Sequence, residues 1–192
     1  VEIMLGDGNG NLANTATIAV DGAADGSQQI AAADFDCDGN LDVAITMGVR
    51  DGIGVLRGDG QGNFSGAQYY ATGGRYPYAI AVLDVNGDGR PDIATNNVNS
   101  SLVSVLLNAG SGFAPVDLYA TVPGNATWGL AAGDFNNDGR TDLVAVADGG
   151  VGLLTNNGRG GFNPIAVIVG DTSIYNGAAA AADLNHDGNL DL

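Results

Sequence analysis

The chain is expected to fold as an all-β repeat protein, a β-propeller or a segment of one, with four-stranded antiparallel blades in about four repeats of about 50 residues. Three observations support this. An acidic loop recurs at Asp34, Asp84, Asp134 and Asp183, so its starts lie 50, 50 and 49 residues apart. Short apolar runs stand between the loops, separated by Gly, Asn and Asp, the punctuation of antiparallel hairpins. Each full interval carries four such runs, and four strands per period of roughly 50 residues is the arithmetic of a propeller blade.

The runs repeat in one order. Small residues lead into each loop at 30–33, 79–83, 129–133 and 177–182. They suit the first strand of a blade, which lines the axis where blades converge. The alanines 178–182 also permit a helix, but the equivalent runs carry Ile, Val and Gly and end directly in a loop, which favours a strand. The second strand follows the loop at 41–46, 91–95 and 141–146, and the third stands at 53–56, 103–107 and 151–154. A Gly-rich turn then closes on Phe64, Phe113 or Phe162 before a fourth strand such as 67–71. Residues 1–5 align with a third strand and the last repeat stops at the start of a second, so the first and last repeats read as incomplete within one repeat domain spanning 1–192. Three expectations follow: a longer propeller, closure of the two ends into one composite blade, or self-association in which a neighbouring chain completes a blade.

The loops carry oxygen donors at positions 1, 3, 5 and 9. These are Asp34, Asp36, Asp38 and Asp42; Asp84, Asn86, Asp88 and Asp92; Asp134, Asn136, Asp138 and Asp142; and Asp183, Asn185, Asp187 and Asp191. Position 6 is always glycine. Position 7 varies among Asn40, Arg90, Arg140 and Asn189, which suits a residue lending only its backbone carbonyl. Calcium takes six to eight oxygens of this kind, so about four structural Ca2+ ions are expected. An EF-hand is excluded, because it requires Glu at position 12 and a following helix; here position 12 is Ile45, Thr95 or Ala145, within strand-like runs.

Formal net charge is -16, the six cations are all arginine, and more than half of the 22 acids lie in the loops. Without a basic patch, nucleic acid is not expected as a partner. No run is long enough for membrane insertion. The single cysteine, Cys37, sits at position 4 of the first loop and has no intrachain disulfide partner. Loops of this kind often need the millimolar calcium found outside cells, so an extracellular or cell-surface location is expected.

The loop spacing, together with Gly112-Phe113-Ala114-Pro115, resembles the FG-GAP and VCBS type of repeat found in integrin α-subunit propellers and in many secreted microbial proteins. The resemblance implies a calcium-binding propeller used in adhesion or recognition of a protein or glycan. Phe64-Ser65-Gly66-Ala67 and Phe162-Asn163-Pro164 keep only part of the Phe-centred signature. The crossovers between blades lie opposite the loops and hold Arg75, Tyr76, Tyr78, Trp128 and Tyr175, a candidate surface for stacking on a sugar or anchoring a protein. Tyr78 and Trp128 also suit packing between blades. The sole histidine, His186, lies inside a loop, and no Gly-x-Ser-x-Gly elbow or Cys–His pairing appears. A carboxylate pair for glycoside hydrolysis remains open among the acids outside the loops, so a lectin or the propeller part of a polysaccharide-active enzyme is an alternative to non-catalytic recognition.

Overall fold

The computed structural model describes residues 2–18, 20, 28–122, 126–171 and 177–192. A hairpin of β1 (Glu2–Gly6) and β2 (Leu12–Thr17) precedes three four-stranded antiparallel sheets, each a meander in chain order. The first holds β3 (Ile30–Ala33), β4 (Asp42–Met47), β5 (Gly52–Leu56) and β6 (Gln68–Ala71). The second holds β7 (Pro77–Leu83), β8 (Asp92–Asn97), β9 (Leu102–Leu106) and β10 (Asp117–Ala120). The third holds β11 (Thr127–Gly133), β12 (Asp142–Ala147), β13 (Gly149–Leu154) and β14 (Ala166–Asp171). Among the described residues there is no α-helix, only a short 3-10 turn at Gly48–Arg50. The first strands are neighbours, with β7 packed on β3 and β4, and β11 on β7 and β8, so the sheets stand as propeller blades around an axis.

The second strands explain why these sequences read as continuous rather than alternating apolar runs. Every residue of β4, β8 and β12 is buried, because each strand is covered on both faces, by a neighbouring blade or by flanking residues such as Val20 and Ala179. Val43, Ile45 and Met47 pack with Leu56 and Val20 on one side of β4, whereas Ala44 joins Ile53, Val55, Ile93 and Leu106 on the other. In β8, Ile93 thus faces the first blade, while Ala94 packs with Leu143, Ala145 and Leu154 of the third.

The aromatic that closes each Gly-rich turn reaches back to the preceding blade. Phe113 meets Phe35 edge-on at 5.8 Å and Tyr70 at 5.0 Å between ring centroids, and Phe162 meets Tyr119 at 5.5 Å. The glycine before each of these phenylalanines makes room for that tyrosine. A Cβ on Gly161 would lie 2.5 Å from the Tyr119 hydroxyl, and one on Gly112 would lie 3.1 Å from the Tyr70 hydroxyl. Close approach by the neighbouring blade, as well as turn geometry, therefore demands Gly-Phe here.

Two expectations are adjusted. The first strands of the second and third blades begin earlier than their small-residue runs, at Pro77 and Thr127, and register shifts between Pro77 and Ile80 and between Thr127 and Gly129 mark bulges. Tyr78 and Trp128 therefore belong to strands rather than crossovers. The run 177–182 is neither helix nor ladder; Ala182 alone bridges Asp191. The β1–β2 hairpin resembles the third and fourth strands of a blade. Its Asp7 turn repeats the Asp59 turn bond for bond: in each, the carboxylate accepts the N–H groups two and four residues on and the Asn side chain at the fourth.

Candidate metal centres and the axial cleft

Each acidic loop is a nest of backbone N–H groups gathered by its own side chains. The position-1 carboxylate accepts the N–H of position 5 through one oxygen and that of the position-6 glycine through the other, at 2.8 to 3.1 Å, in all four copies. Asn86, Asn136 and Asn185 at position 3 accept the same position-5 N–H at 2.9 Å. The position-5 carboxylates of Asp38, Asp88, Asp138 and Asp187 accept the N–H of position 7. Two residues per loop are left-handed. One is the glycine (φ from 80° to 90°), and the other is position 4, occupied by Cys37, Gly87, Asn137 and His186. The glycine at position 6 was legible in the sequence; the second left-handed site was hidden by its mixed occupants.

Position 9 differs from the rest. Asp42, Asp92 and Asp142 are wholly buried at the start of their second strands. One oxygen of each accepts the N–H of position 2, from Phe35, Val85 and Phe135, and the other accepts the N–H that opens the Gly-rich turn, from Gly58, Asn108 and Asn156. Asp191 repeats the first contact with Leu184. Position 9 therefore ties the acidic loop to the Gly-rich turn, which places both on one face of the propeller. Burial pushes Asp92 and Asp142 above the ordinary carboxylate value despite these N–H donors, and the other loop carboxylates add to the rise. Asp88 and Asp187 are held below it, chiefly by the N–H groups of Arg90 and Asn189. Burial pulls Asp134 upward, but the N–H groups of Gly139 and Asp138 outweigh it and leave the carboxyl below the ordinary value.

The donor set suits a hard cation, being oxygen throughout, although some of these oxygens already accept two donors: Asp84 Oδ1 takes the N–H groups of Gly87 and Asp88, and Asp42 Oδ2 takes the Phe35 N–H and Arg57. In the first loop, which alone carries Asp at position 3, one oxygen each of Asp34, Asp36 and Asp42 lie within 4.8 Å of one another. Arginine supplies the positive charge in three loops by two routes. Arg57, from the Gly-rich turn, bonds Asp42 at 2.6 Å and lies 3.6 Å from Asp36. Arg90 and Arg140, at position 7, instead bond Asp88 and Asp138 at 2.5 Å, and their Nε atoms donate to the carbonyls of Asn108 and Asn156. Cation entry into the second and third loops thus competes with a guanidinium on position 5. In the fourth loop the Asn189 amide takes that place on Asp187. Asn40 lies beside the Gly-rich turn, its Oδ1 2.2 Å from where a Cβ on Gly60 would stand.

Sequence reasoning missed Asn108 and Asn156, both almost fully buried. Asn108 Nδ2 donates to the carbonyl of Phe35 at 2.7 Å, in the acidic loop of the preceding blade, and to Pro91 in its own. Asn156 does the same with Val85 at 2.9 Å and Thr141. Each Asn Oδ1 accepts a turn N–H, from Gly110 and Gly158. Between the third and fourth loops the link is Asn137 Nδ2 to Asn189 Oδ1 at 2.5 Å.

At the opposite end of the first strands, Tyr78 and Trp128 meet edge to face, 5.5 Å apart at 89°, across the second and third blades. Both are half-buried, and neither belongs to the four apolar clusters that hold the blades together. Trp128 Nε1 donates to Asp148 Oδ1 at 2.7 Å, which fixes the indole plane. With Gln29, Leu130 and the backbone of residues 177–179 they line an axial cleft of about 220 Å³. Arg75 and Tyr76 lie apart from it in the crossover, their backbones held by Ser100, Asn99, Asp51 and Val98. Tyr175 lies outside the described residues.

Comparison with known proteins agrees with this architecture. A lectin of Agrocybe aegerita, described by its specific recognition of non-reducing terminal N-acetylglucosamine, superposes with a TM-score of 0.65 at 23% identity, over 88% of this chain and 47% of its own. It is one of 18 matching chains of solved structures. This chain therefore spans about half the length of that lectin chain. No curated protein sequence matches. The FG-GAP-like repeat matches four overlapping stretches, residues 1–45, 38–95, 84–145 and 134–192, each containing acidic-loop residues. Covered from end to end by these repeats, the chain belongs to the FG-GAP-like repeat family.

Proposed function

We propose that this propeller is a calcium-stabilised extracellular recognition module that binds a glycan or protein and does no chemistry itself. One observation carries the reading: four loops present the same oxygen donors, and in the first of them three carboxylates converge within 4.8 Å. Like charges gathered so closely oppose folding, and a divalent cation would turn that repulsion into a tie between the first and second strands of a blade. In each loop the side chains of positions 1, 3, 5 and 9 and the carbonyl of position 7 would hold the ion. A lectin of the same fold makes a glycan the first ligand class to test.

Calcium titration followed by thermal unfolding, with a chelator control and light scattering, tests the metal; a glycan array in calcium tests the ligand. A calcium-dependent rise in Tm with binding on the array is expected. An unchanged Tm would overturn the structural role of calcium, and release of products from acidic polysaccharides would move the reading to an enzyme. A second reading, self-association, is favoured by β14, whose Val167, Ile168 and Val169 are all exposed on an outer strand. Light scattering that shows particles larger than a monomer would support it.

A further inference from the structure

We propose that the axial cleft between Tyr78 and Trp128 is the ligand site, and that it takes one terminal ring of a neutral glycan. This rests on the recognition reading above and assigns it a place. All four repeats build the cleft: Gln29 comes from the first, Tyr78 from the second, Trp128 and Leu130 from the third, and residues 177–179 from the fourth. Its wall is tightly closed where the fourth repeat meets Gly129, since a Cβ there would stand 2.8 Å from the Gly177 carbonyl.

Size, charge and surface each narrow the ligand. At about 220 Å³ the cleft is smaller than the roughly 300–1,000 Å³ of sites that enclose drug-sized molecules, so it suits a single ring. Among the described residues no cationic side chain lines it, and the chain carries a formal net charge of -16, so a uronate or sialate finds no counter-charge among them. A neutral pyranose offers an apolar face of C–H groups and a rim of hydroxyls. The Trp128 ring, held by Asp148, supplies a pre-set stacking surface, so little ordering is left for binding to accomplish. Gln29 Oε1 accepts the Ile80 N–H at 3.0 Å, which leaves its NH2 group as the donor for a sugar oxygen, and the Tyr78 hydroxyl can donate or accept.

Trp128 is the chain's only tryptophan, so its fluorescence reports on the cleft alone. Calcium-loaded protein is titrated with N-acetylglucosamine, glucose, galactose and glucuronate, and the same protein is applied to a glycan array. At least one neutral sugar is expected to shift the emission saturably, with glucuronate silent. Gln29→Glu keeps the acceptor for Ile80 and removes the donors, so it is expected to weaken binding about tenfold. Tyr78→Ala is expected to abolish the shift, with circular dichroism and Tm showing whether it has folded. If it has not, Gln29→Glu decides. Array binding that survives both variants, with no change in emission, would overturn the cleft and leave the recognition reading intact. No array binding and no shift would overturn the cleft and the glycan arm of the recognition reading together, and a response to glucuronate alone would overturn the neutral-sugar assignment.

Discussion

Asp38 and Asp42 share one loop and have opposite surroundings. Asp42 is buried, accepts N–H groups from Phe35 and Gly58, and pairs with Arg57, whereas Asp38 is exposed and accepts only the N–H of Asn40. Asp42→Ala would strand two backbone donors and a guanidinium, at about 3–5 kcal/mol, and this loss should appear even in chelator. Asp38→Ala should leave Tm in chelator nearly unchanged and remove part of the gain that calcium gives. Thermal unfolding of both variants in both conditions checks this, and equal losses in chelator would refute the distinction. A second residue-scale expectation concerns acid. Asp59 is held below 3.8, first by the Asn63 side chain and then by the Gln61 N–H. With its folded pKa below the unfolded value, the unfolded chain binds more protons in between, so Asp59 stabilises the fold above about pH 4 and stops doing so as pH falls through that window. Asp92 has the opposite sign: its pKa is raised by burial, so ionising it as pH rises opposes folding. Asp59→Asn should therefore flatten the acid limb of a stability–pH curve, and an unchanged limb would count against it.

At the scale of elements, the acidic loop of one blade is fastened to the Gly-rich turn of the next. Asn108 does this between the first and second blades and Asn156 between the second and third. Asn108→Ala should cost about 1–3 kcal/mol, because the Phe35 carbonyl loses a partner in a buried place. Its signature is spatial: hydrogen exchange should speed up in the loop after Phe35, 73 residues away in sequence, more than in the variant's own loop at 84–92. Faster exchange confined to 84–92 would show that the clamp is local. This element also marks the limit of what the sequence disclosed. Repeat length, the three later strands of each blade and the oxygen donors of each loop were legible because they recur at one period. The clamp was not, because an asparagine in a Gly-rich turn reads as a turn residue until the fold brings it under the neighbouring loop. The arginines at position 7 recur too, but recurrence alone does not show that their side chains sit on position 5. Tyr78 and Trp128 were visible as unusual residues, yet their place on the axis depended on bulges that no local pattern announces.

Across the whole molecule, burial is graded along the repeat axis. The blade of β7 to β10 has a complete blade on each side, whereas the β1–β2 hairpin is a lone two-stranded sheet and residues 177–192 contribute only a single bridge. In a repeat array, stability is the sum of what each unit holds and what its neighbours add, so local unfolding should start where neighbours are fewest. Amides of β8 and β9 should exchange slowest, and those of β1, β2 and 177–192 fastest. Calcium should compress this gradient at residues 177–192, since Asp191, at position 9 of the loop at 183–191, is only half-buried and keeps just the Leu184 contact of the two its counterparts make. The cause would be site-specific rather than ionic screening, which separates two explanations of the same stabilisation. Sodium chloride at equal ionic strength screens the formal charge of -16 over the entire surface and should raise protection slightly and evenly. Calcium held by the loop oxygens should instead raise it loop by loop. Exchange measured in chelator, in sodium chloride and in calcium decides between them: identical profiles in the two salts would mean that the loops are solvated turns, and protection that grows at each loop only in calcium would mean that they are metal sites.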